Sequence, residues 1–483
     1  MNKAVRRKIA TFLLCGSVFN TVLQLLPPLA LATGERTFDS QGANGTDGIN
    51  FIFVGFPGGN GASEGPVSIM EPGFVAIDSS VQPGIFARTR GGNGGLGGDG
   101  FTLPAVPPAG PNSSVTGGLG GAGGRGGNVT VNVSGTGTIT NDGFSGIHIL
   151  SLGGQGGQGG LALGLPLTLF GRSGDGGAGG AGGDITVTEN KADITVNGGV
   201  QPDQFRAGIL AQSAGSVGGI AGDAIGSVVN QVGNTGASGG GGNISITNSG
   251  EITTNLGIRS HGIFAESPGG ASNTAGGIGF GLVTFGVSPA GSGDGGSVTV
   301  NNHGEITTSG LQSRALSLRS AGGGGGEGAT AVGLIAIGGS GGSAGHGGTV
   351  ALNSNTANIT TRGRESEGIY AQSVGGGGGS GGGAVGIGAF VGFALGGSGN
   401  VGGDGGEVTV ETGLDASNAP HSRPPIRSAH RVIILAVFLP KALVVVAVTV
   451  DSRWLPAAVL SLVPSASVSG AAAVPAGLVR RSK

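Results

Sequence analysis

Residues 298–308 read Val-Thr-Val-Asn-Asn-His-Gly-Glu-Ile-Thr-Thr, and the triplet that opens this stretch recurs along the chain. Six copies, each following a glycine-rich tract, begin at Val129, Ile185, Ile244, Val298, Val350 and Val408. Their first residues are 56, 59, 54, 52 and 58 positions apart. A recurrence this regular indicates an internal repeat, which decides the fold before any other feature does.

A second motif begins with Gly-Ile and comes after each triplet. Its copies are Gly84–Ala87, Gly146-Ile147, Gly208–Ser213, Gly262–Ser267 and Gly368–Ser373, with Arg314–Leu316 at the corresponding place in the fifth repeat. Both motifs alternate apolar and small polar residues, so one face of a strand can point inward and the other outward. Their Val, Ile and Thr residues favour strands, and the Gly and Asn residues between them favour tight corners.

Strands of this length cannot bury an apolar face alone, but repeats that stack on one another form one continuous core. The predicted fold class is therefore all-β: a repetitive β-solenoid, specifically a parallel β-helix, with glycine-rich loops. Repeats of 52–59 residues exceed what one turn of three short strands requires. We therefore expect two or more coils per repeat.

Glycine supplies 114 of the 483 residues, more than three times its usual share of about 7%. The tracts 91–100, 117–127 and 153–160 run close to Gly-Gly-X. This pattern suits extended polyproline-II-like strands and also flexible loops. For the tracts 322–326 and 375–383 we predict loops, and residues 384–393 are candidates for additional strands.

The N-terminal segment 1–32 has the features of a signal peptide. Four basic residues within positions 3–8 precede an apolar stretch, and Ala30-Leu31-Ala32 fits a cleavage site before Thr33. An N-terminal membrane anchor is the alternative. The only cysteine, Cys15, lies in this segment, so the mature chain has no disulfide framework.

Residues 33–416 are acidic and poor in aromatic side chains. They carry 12 basic and 25 acidic residues, a net charge of −13, which argues against nucleic-acid binding. Aromatic residues make up 4% of the chain, too few for the two girdles of an outer-membrane barrel. The 21 prolines stand in irregular places, which excludes a collagen.

The segment 417–483 differs in composition and reads as the same repeat in a shifted frame. Only Gly470 and Gly477 remain in it, while residues 432–450 have the length and hydropathy of a membrane helix. One set of codons for the repeat peptide FAQSVGGGGGNGG, read one base later, encodes LPKALVVVAVTV, the sequence found at 439–450. We therefore expect a non-native tail that arises from a frameshift or sequencing error between about residues 412 and 430. Nucleotide sequence across this region tests that expectation.

Candidate chemistry is sparse. The Asp-Gly pairs at Asp175, Asp294 and Asp404 occur once per repeat, too rarely for calcium-binding nonapeptide arrays, and they predict turns. The Ala-Gln-Ser serines have no His and Asp partners at a constant offset, which argues against a hydrolytic triad.

The histidines are not spaced as metal ligands are, and the arginines near the Gly-Ile motif also suggest no binding site. Solvent-facing positions are expected for the single histidines His148, His261, His303 and His346, and solvated strand ends for Arg88, Arg90 and Arg319. The sequence thus predicts no enzyme, no catalytic, cofactor-binding or metal-binding residue, and no cofactor.

The motif Gly368-Ile369-Tyr370-Ala371-Gln372-Ser373-Val374, which runs into the glycines at 375–379, resembles the passenger repeats of glycine-rich bacterial autotransporters. The resemblance covers roughly residues 33–414 and implies a secreted or surface-displayed β-helical passenger. It also implies a C-terminal translocator barrel. The sequence after residue 416 departs from that pattern, so we expect a chain truncated before the barrel.

The predicted function is accordingly adhesion or surface structure, carried by repeats of about 52–62 residues within 33–416. Its partners would be a host surface or further copies of the chain, with no nucleic acid and no specific small molecule. Membrane contact would be limited to the signal peptide or to adsorption of the apolar tail. The chain would lie at the cell surface or outside the cell if translocated, and in the periplasm if the barrel is absent.

The alternative is a glycine-rich cell-wall or matrix structural protein with polyglycine-II-like packing. A passenger hydrolase would require a non-repeat insert that carries a triad, and the sequence shows no such insert.

Overall fold

The computed structural model describes residues 36–52, 54–102, 114–164, 168–198, 205–255, 257–273, 277–388, 392–412 and 433–437. Within these ranges the chain is all-β, with parallel strands in four sheets and no helix. Accordingly, no described segment is a helix long and apolar enough to cross a membrane. The signal peptide predicted at 1–32 and most of the tail predicted at 417–483 lie outside the described residues.

Three of the sheets take one strand from each repeat. The first sheet consists of Val67–Met70, Val129–Val133, Ile185–Asn190, Ile244–Asn248, Val298–Asn302, Val350–Asn355 and Val408–Val410. The second consists of Val75–Ser79, Gly137–Asp142, Asp193–Asn197, Ile252–Asn255, Ile306–Thr308 and Ile359–Thr361. The third consists of Arg36–Gln41, Ile85–Arg90, Ile147–Leu152, Arg206–Ala214, Ser260–Pro268, Leu316–Ala321, Ile369–Val374 and Ile433–Val437.

Equivalent residues of neighbouring repeats pair directly. Ile185 pairs with Val129 on one side and with Ile244 on the other, and the same row continues to the last triplet. The triplets of successive repeats thus lie side by side in one sheet. A seventh triplet at Val67 pairs with Val129. The sequence pattern missed it because Glu64 and Pro66 interrupt the tract that precedes it.

Each repeat passes once through the three sheets, so the expectation of two or more coils per repeat is wrong. The extra residues instead leave the third sheet as an outgoing glycine arm, enter the fourth sheet and come back as a return glycine arm. This fourth sheet, the rim sheet, consists of Phe51–Ile52, Gly100–Phe101, Ser114–Thr116, Ala162–Leu163, Phe170–Arg172, Ala224–Ile225, Val229–Gln231, Ile278–Phe285, Thr330–Ile337, Ala384–Gly386 and Phe393–Leu395. The additional strands expected within 384–393 are thus partly confirmed, with residues 389–391 outside the described ranges.

The first three sheets surround one apolar core, and together they form the strand stack. Rows of Ile, Val and Leu point inward, and Ile85, Ile139, Ile185 and Ile252 are fully buried. Burial of such a side chain contributes about 1.5–3 kcal/mol to folding. The inward rows hold the stack together, since single strands of three to nine residues have too little apolar surface to be stable alone.

The outgoing arms (42–50, 91–99, 153–161, 215–223, 269–273, 322–329 and 375–383) and the return arms (55–66, 117–128, 173–184, 232–243, 286–297, 338–349 and 396–407) pack against each other through backbone hydrogen bonds. In the arm 91–99, Gly94 N–H donates to Gln155 of the next outgoing arm at 2.8 Å, and Gly95 N–H donates to Gly59 of a return arm at 2.8 Å. The third residue, Leu96, donates its N–H to the Asp47 carboxylate at 2.9 Å. Three bonding directions that repeat every three residues match an extended polyproline-II-type chain.

Glycine is required where two arms touch. A Cβ on Gly95 would overlap the Thr46 carbonyl oxygen, and one on Gly121 would overlap the Gly59 carbonyl oxygen. The tracts 322–326 and 375–383 are built in the same way, because Gly323 N–H donates to Gly293 at 2.9 Å and Gly376 N–H donates to Gly345 at 2.9 Å. The prediction that these tracts are loops is therefore wrong.

Candidate functional site

The serine of the Ala-Gln-Ser motif is a buried structural residue. Ser213 is fully buried; its hydroxyl donates to the Gly183 carbonyl at 2.7 Å and accepts from the Gly242 N–H at 2.9 Å. Equivalent hydroxyls joining the third sheet to the return arms belong to Thr89, Ser151, Ser267, Ser320 and Ser373. These bonds leave the Ser213 hydroxyl turned toward backbone groups and away from solvent.

The Asp-Gly pairs do not form turns. Asp175, Asp294 and Asp404 lie in extended return arms. The Asp175 carboxylate accepts the N–H of Asn234 at 2.8 Å, and the Asp294 carboxylate accepts the N–H of His346 at 2.7 Å. The turn prediction was wrong because the backbone N–H groups that Asp175 and Asp294 bind come from the next repeat. No three His, Cys, Asp or Glu residues within the described ranges are grouped so that they could hold a metal ion.

Of the four histidines expected to face solvent, His303 and His346 do so. His261 instead is 2% exposed, between the rings of Phe205 and Phe264 at 4.9 and 5.7 Å. Burial, with the Arg314 charge, lowers the His261 pKa to about 3. His148 is half-buried beside Phe86, and burial followed by the Arg88 charge lowers its pKa to about 4.

The expected solvent-facing arginines also have partners. Arg88 and Arg319 are exposed and form ion pairs with Asp39 and Glu266 of the preceding repeats. Arg90 is half-buried, which the prediction of solvated strand ends did not anticipate. Exposed ion pairs of this kind contribute about 0–1 kcal/mol to the stability of the fold. They reflect the register of neighbouring strands more than they stabilise the chain.

A polar groove of about 390 Å³ lies where the second sheet turns into the third, lined by Phe205, Arg259, His261, Gln312, Arg314, Glu365 and Glu367. Three equivalent residues in it, Arg259, Gln312 and Glu365, have φ of 58°, 54° and 55°. This left-handed conformation is uncommon for residues other than glycine. Arg314 donates to Glu367 at 2.8 Å and stacks over the Tyr370 ring at 3.8 Å. The charges of Arg314 and Glu367 thus pair with each other inside the groove.

Two rows of hydroxyl side chains follow the outer faces of the first and second sheets. In the second sheet, threonines of five successive repeats pair in register, namely Thr140, Thr195, Thr253, Thr307 and Thr360. In the first sheet the hydroxyl row consists of Ser68, Thr130, Thr186, Ser245, Thr299 and Thr409, and Ala351 interrupts it between Thr299 and Thr409. Most of these side chains are half-buried and uncharged. The middle residue of each Val-Thr-Val triplet is a sequence signal that locates the row in the first sheet.

The rim sheet has an apolar surface, which sequence reasoning missed. Phe170, Val229, Val283, Ile335 and Phe393 form one row, and Phe285, Ile337 and Leu395 extend a second row beside it. The residues between the rows, including Asn230, Thr284 and Ala336, are buried. We call the side that carries these two rows the return face. The alternation of large apolar residues with Gly, Ala or Thr in Ile278–Phe285 and Thr330–Ile337 is a signal that could have located this sheet.

Comparison with known proteins identifies no relative. No protein-family model, no curated protein and no solved structure matches the chain.

Proposed function

We propose that this chain is an exported, non-enzymatic passenger fragment that acts as an adhesin-like or structural surface protein. In this proposal the strand stack is a parallel β-helix, a β-solenoid with one coil per repeat. The in-register rows from one repeat to the next support that reading. The resemblance of the Gly-Ile-Tyr-Ala-Gln-Ser motif to autotransporter passengers supports the export and the surface role.

The observation that carries an adhesive role is the pair of hydroxyl rows. Thr195, Thr253 and Thr307 present the same group at each repeat, separated by one strand spacing, which is about 4.8 Å. A regular array of weak hydrogen-bonding groups gains affinity when it meets an equally repetitive surface, because many contacts form at once. Polyhydroxylated cell-surface glycans offer such a surface.

Adherence to cultured epithelial cells and to a glycan array tests this role. We expect Thr195→Val with Thr253→Val to lower binding at least fivefold, since valine keeps the shape and loses the hydroxyl. The matched control is Thr46→Val with Thr188→Val, two exposed threonines outside the second-sheet row. Binding no better than that of albumin, or an equal loss in both variants, would contradict the adhesive role.

Fractionation of a bacterium that expresses the tagged chain tests the location. We expect the signal peptide to be removed and the product to accumulate in the periplasm when no barrel is supplied. Retention in the cytoplasm with an intact N-terminus would rule out export.

The glycine arms favour a second candidate, a cell-wall or matrix structural protein. Their backbone bonding, for example Gly121 N–H to Gly95 and Gly177 N–H to Gly157 at 2.8 Å each, resembles the packing of polyglycine chains. Such a protein should remain with the wall or matrix fraction after detergent washing. Complete release by detergent would exclude this role.

A further inference from the structure

The return face of the rim sheet exposes an unusual amount of apolar surface. Along it, Phe170 is 50% exposed, Ile335 40%, Phe393 56% and Leu395 54%. Leu282 and Leu334, at the fifth position of their strands, are 52% and 37% exposed. Phe285 on the same face is 39% exposed.

These seven side chains form a surface large enough for a small dimer interface. A large apolar side chain exposed by about half presents roughly 80 Å², so the set presents about 560 Å² on each copy and about 1,100 Å² on two copies. A specific protein interface buries at least about 1,000 Å² in total. Isolated exposed apolar residues need no explanation, but a continuous patch of this area marks an interaction surface.

Charge selects a second copy as the occupant. Residues 33–416 carry a net charge of −13, so two copies repel one another over most of their surfaces. Within the described strands of the rim sheet the one charged side chain is Arg172, and the neighbouring Asp175 binds it at 2.9 Å. The return face is therefore a place where two copies can approach without bringing carboxylates together.

We propose that two copies of this chain associate through the return faces of their rim sheets. Two flat sheets pack face to face at about 10 Å, and a two-fold axis lets the same rows serve on both sides. The association does not rest on the proposed surface role, because it follows from the exposed side chains and the charge distribution.

Sedimentation velocity of the full chain tests the association. We expect a species of twice the 45.9 kDa chain mass. The triple variant Ile335→Thr, Phe393→Thr and Leu395→Thr should raise the dissociation constant at least tenfold. The matched control is Met70→Thr, Phe74→Thr and Val81→Thr, which are 56%, 65% and 72% exposed and lie outside the rim sheet. The control should dimerise like the wild type.

A second measurement does not depend on the triple variant folding. In a Cys15→Ser background, Ile335→Cys should give a cross-linked dimer with a short bismaleimide, and Val81→Cys should not. A monomeric wild type, equal association of both triple variants, or cross-linking that is equal at both positions would overturn the proposal. The proposal would also be overturned if the chain is a monomer that co-floats with neutral phosphatidylcholine vesicles and loses this binding in the triple variant. The occupant of the return face would then be lipid.

Discussion

The strand stack and the glycine arms share one register but are stabilised differently. In the stack, rows such as Ile139, Ile194 and Ile252 bury branched side chains against each other. In the arms, Gly94 and Gly95 bring backbone against backbone, and hydrogen bonds take the place of side-chain packing. The stack therefore needs volume at its inward positions, whereas the arms need the absence of volume. Substitutions of opposite size should separate the two regions.

The largest loss is expected from a cavity in the stack. Ile252 is fully buried, so Ile252→Ala should lower the free energy of unfolding by about 4 kcal/mol. Urea denaturation followed by circular dichroism measures it. The control Ile278→Ala removes a side chain that is 53% exposed in the rim sheet, and should cost less than about 1 kcal/mol. Equal costs would mean that the stack has no tightly packed core.

The next largest loss is expected when a methyl group is added to an arm. Gly323→Ala places a Cβ on the Gly270 carbonyl oxygen and should cost about 3 kcal/mol, because two backbones must separate. In Gly324→Ala the nearest atom is 3.8 Å away, so the unfolding free energy should change by less than about 1 kcal/mol. The same denaturation experiment compares these adjacent positions. A cost at Gly323 as small as that at Gly324 would show that the arms are loosely packed.

A smaller loss is expected at the amide row in the corner between the first and second sheets. Asn302 is fully buried; its Nδ2 donates to Asn355 and to Gly304 at 2.8 Å each, and its Oδ1 accepts from Asn248 at 2.9 Å. Asn302→Ala leaves those groups unpaired and should cost about 2 kcal/mol. Asn301→Ala, at the half-buried neighbouring position, provides the control and should be nearly neutral in thermal unfolding.

The smallest effect is a pH dependence that belongs to the stack. The folded pKa of His261, about 3, lies below its ordinary value of 6.5, so the unfolded chain binds the proton more readily. This contribution is complete above pH 6.5 and is lost as pH falls toward the folded pKa. Between pH 7 and pH 5.5 it should amount to about 1 kcal/mol.

Comparison of unfolding at these two pH values in His261→Gln tests the assignment. The variant should lose about that much less stability than the wild type over the same range. The exposed His303→Gln variant should behave like the wild type, and an identical pH response in all three proteins would remove His261 as the source.

The strand stack was predictable because its signal is local and periodic. Val-Thr-Val and Gly-Ile-x-Ala alternate inward and outward residues, and their spacing gives the pairing of Ile185 with Val129 and Ile244. The arms were not predictable in the same way. A glycine tract such as 375–383 has no side chains that distinguish order from a loop, and its partners lie in other repeats.

The surface features show the same limit. His261 packs against Phe264 of its own strand and against Phe205 of the preceding repeat, and the contact with Phe205 cannot be seen in the sequence around His261. In the sequence the aspartates of the arms resemble turn residues because a glycine follows each of them. The N–H groups that Asp175 and Asp294 bind lie about one repeat further along the chain, so the local sequence does not reveal them. The hydroxyl rows were visible in the triplets, but their alignment into a surface depends on the register.

The direct pairing of each repeat with the next also determines how the molecule responds to force. The hydrogen-bond ladders of the four sheets join each repeat to the following one. Tension along the stack therefore loads the interfaces between successive repeats in series. Repeats should then detach one at a time from an end, at forces set by a single repeat. Each repeat of about 56 residues would release roughly 190 Å of chain. A tethered chain of this design would lengthen under load, and the length that it can release grows with the number of repeats.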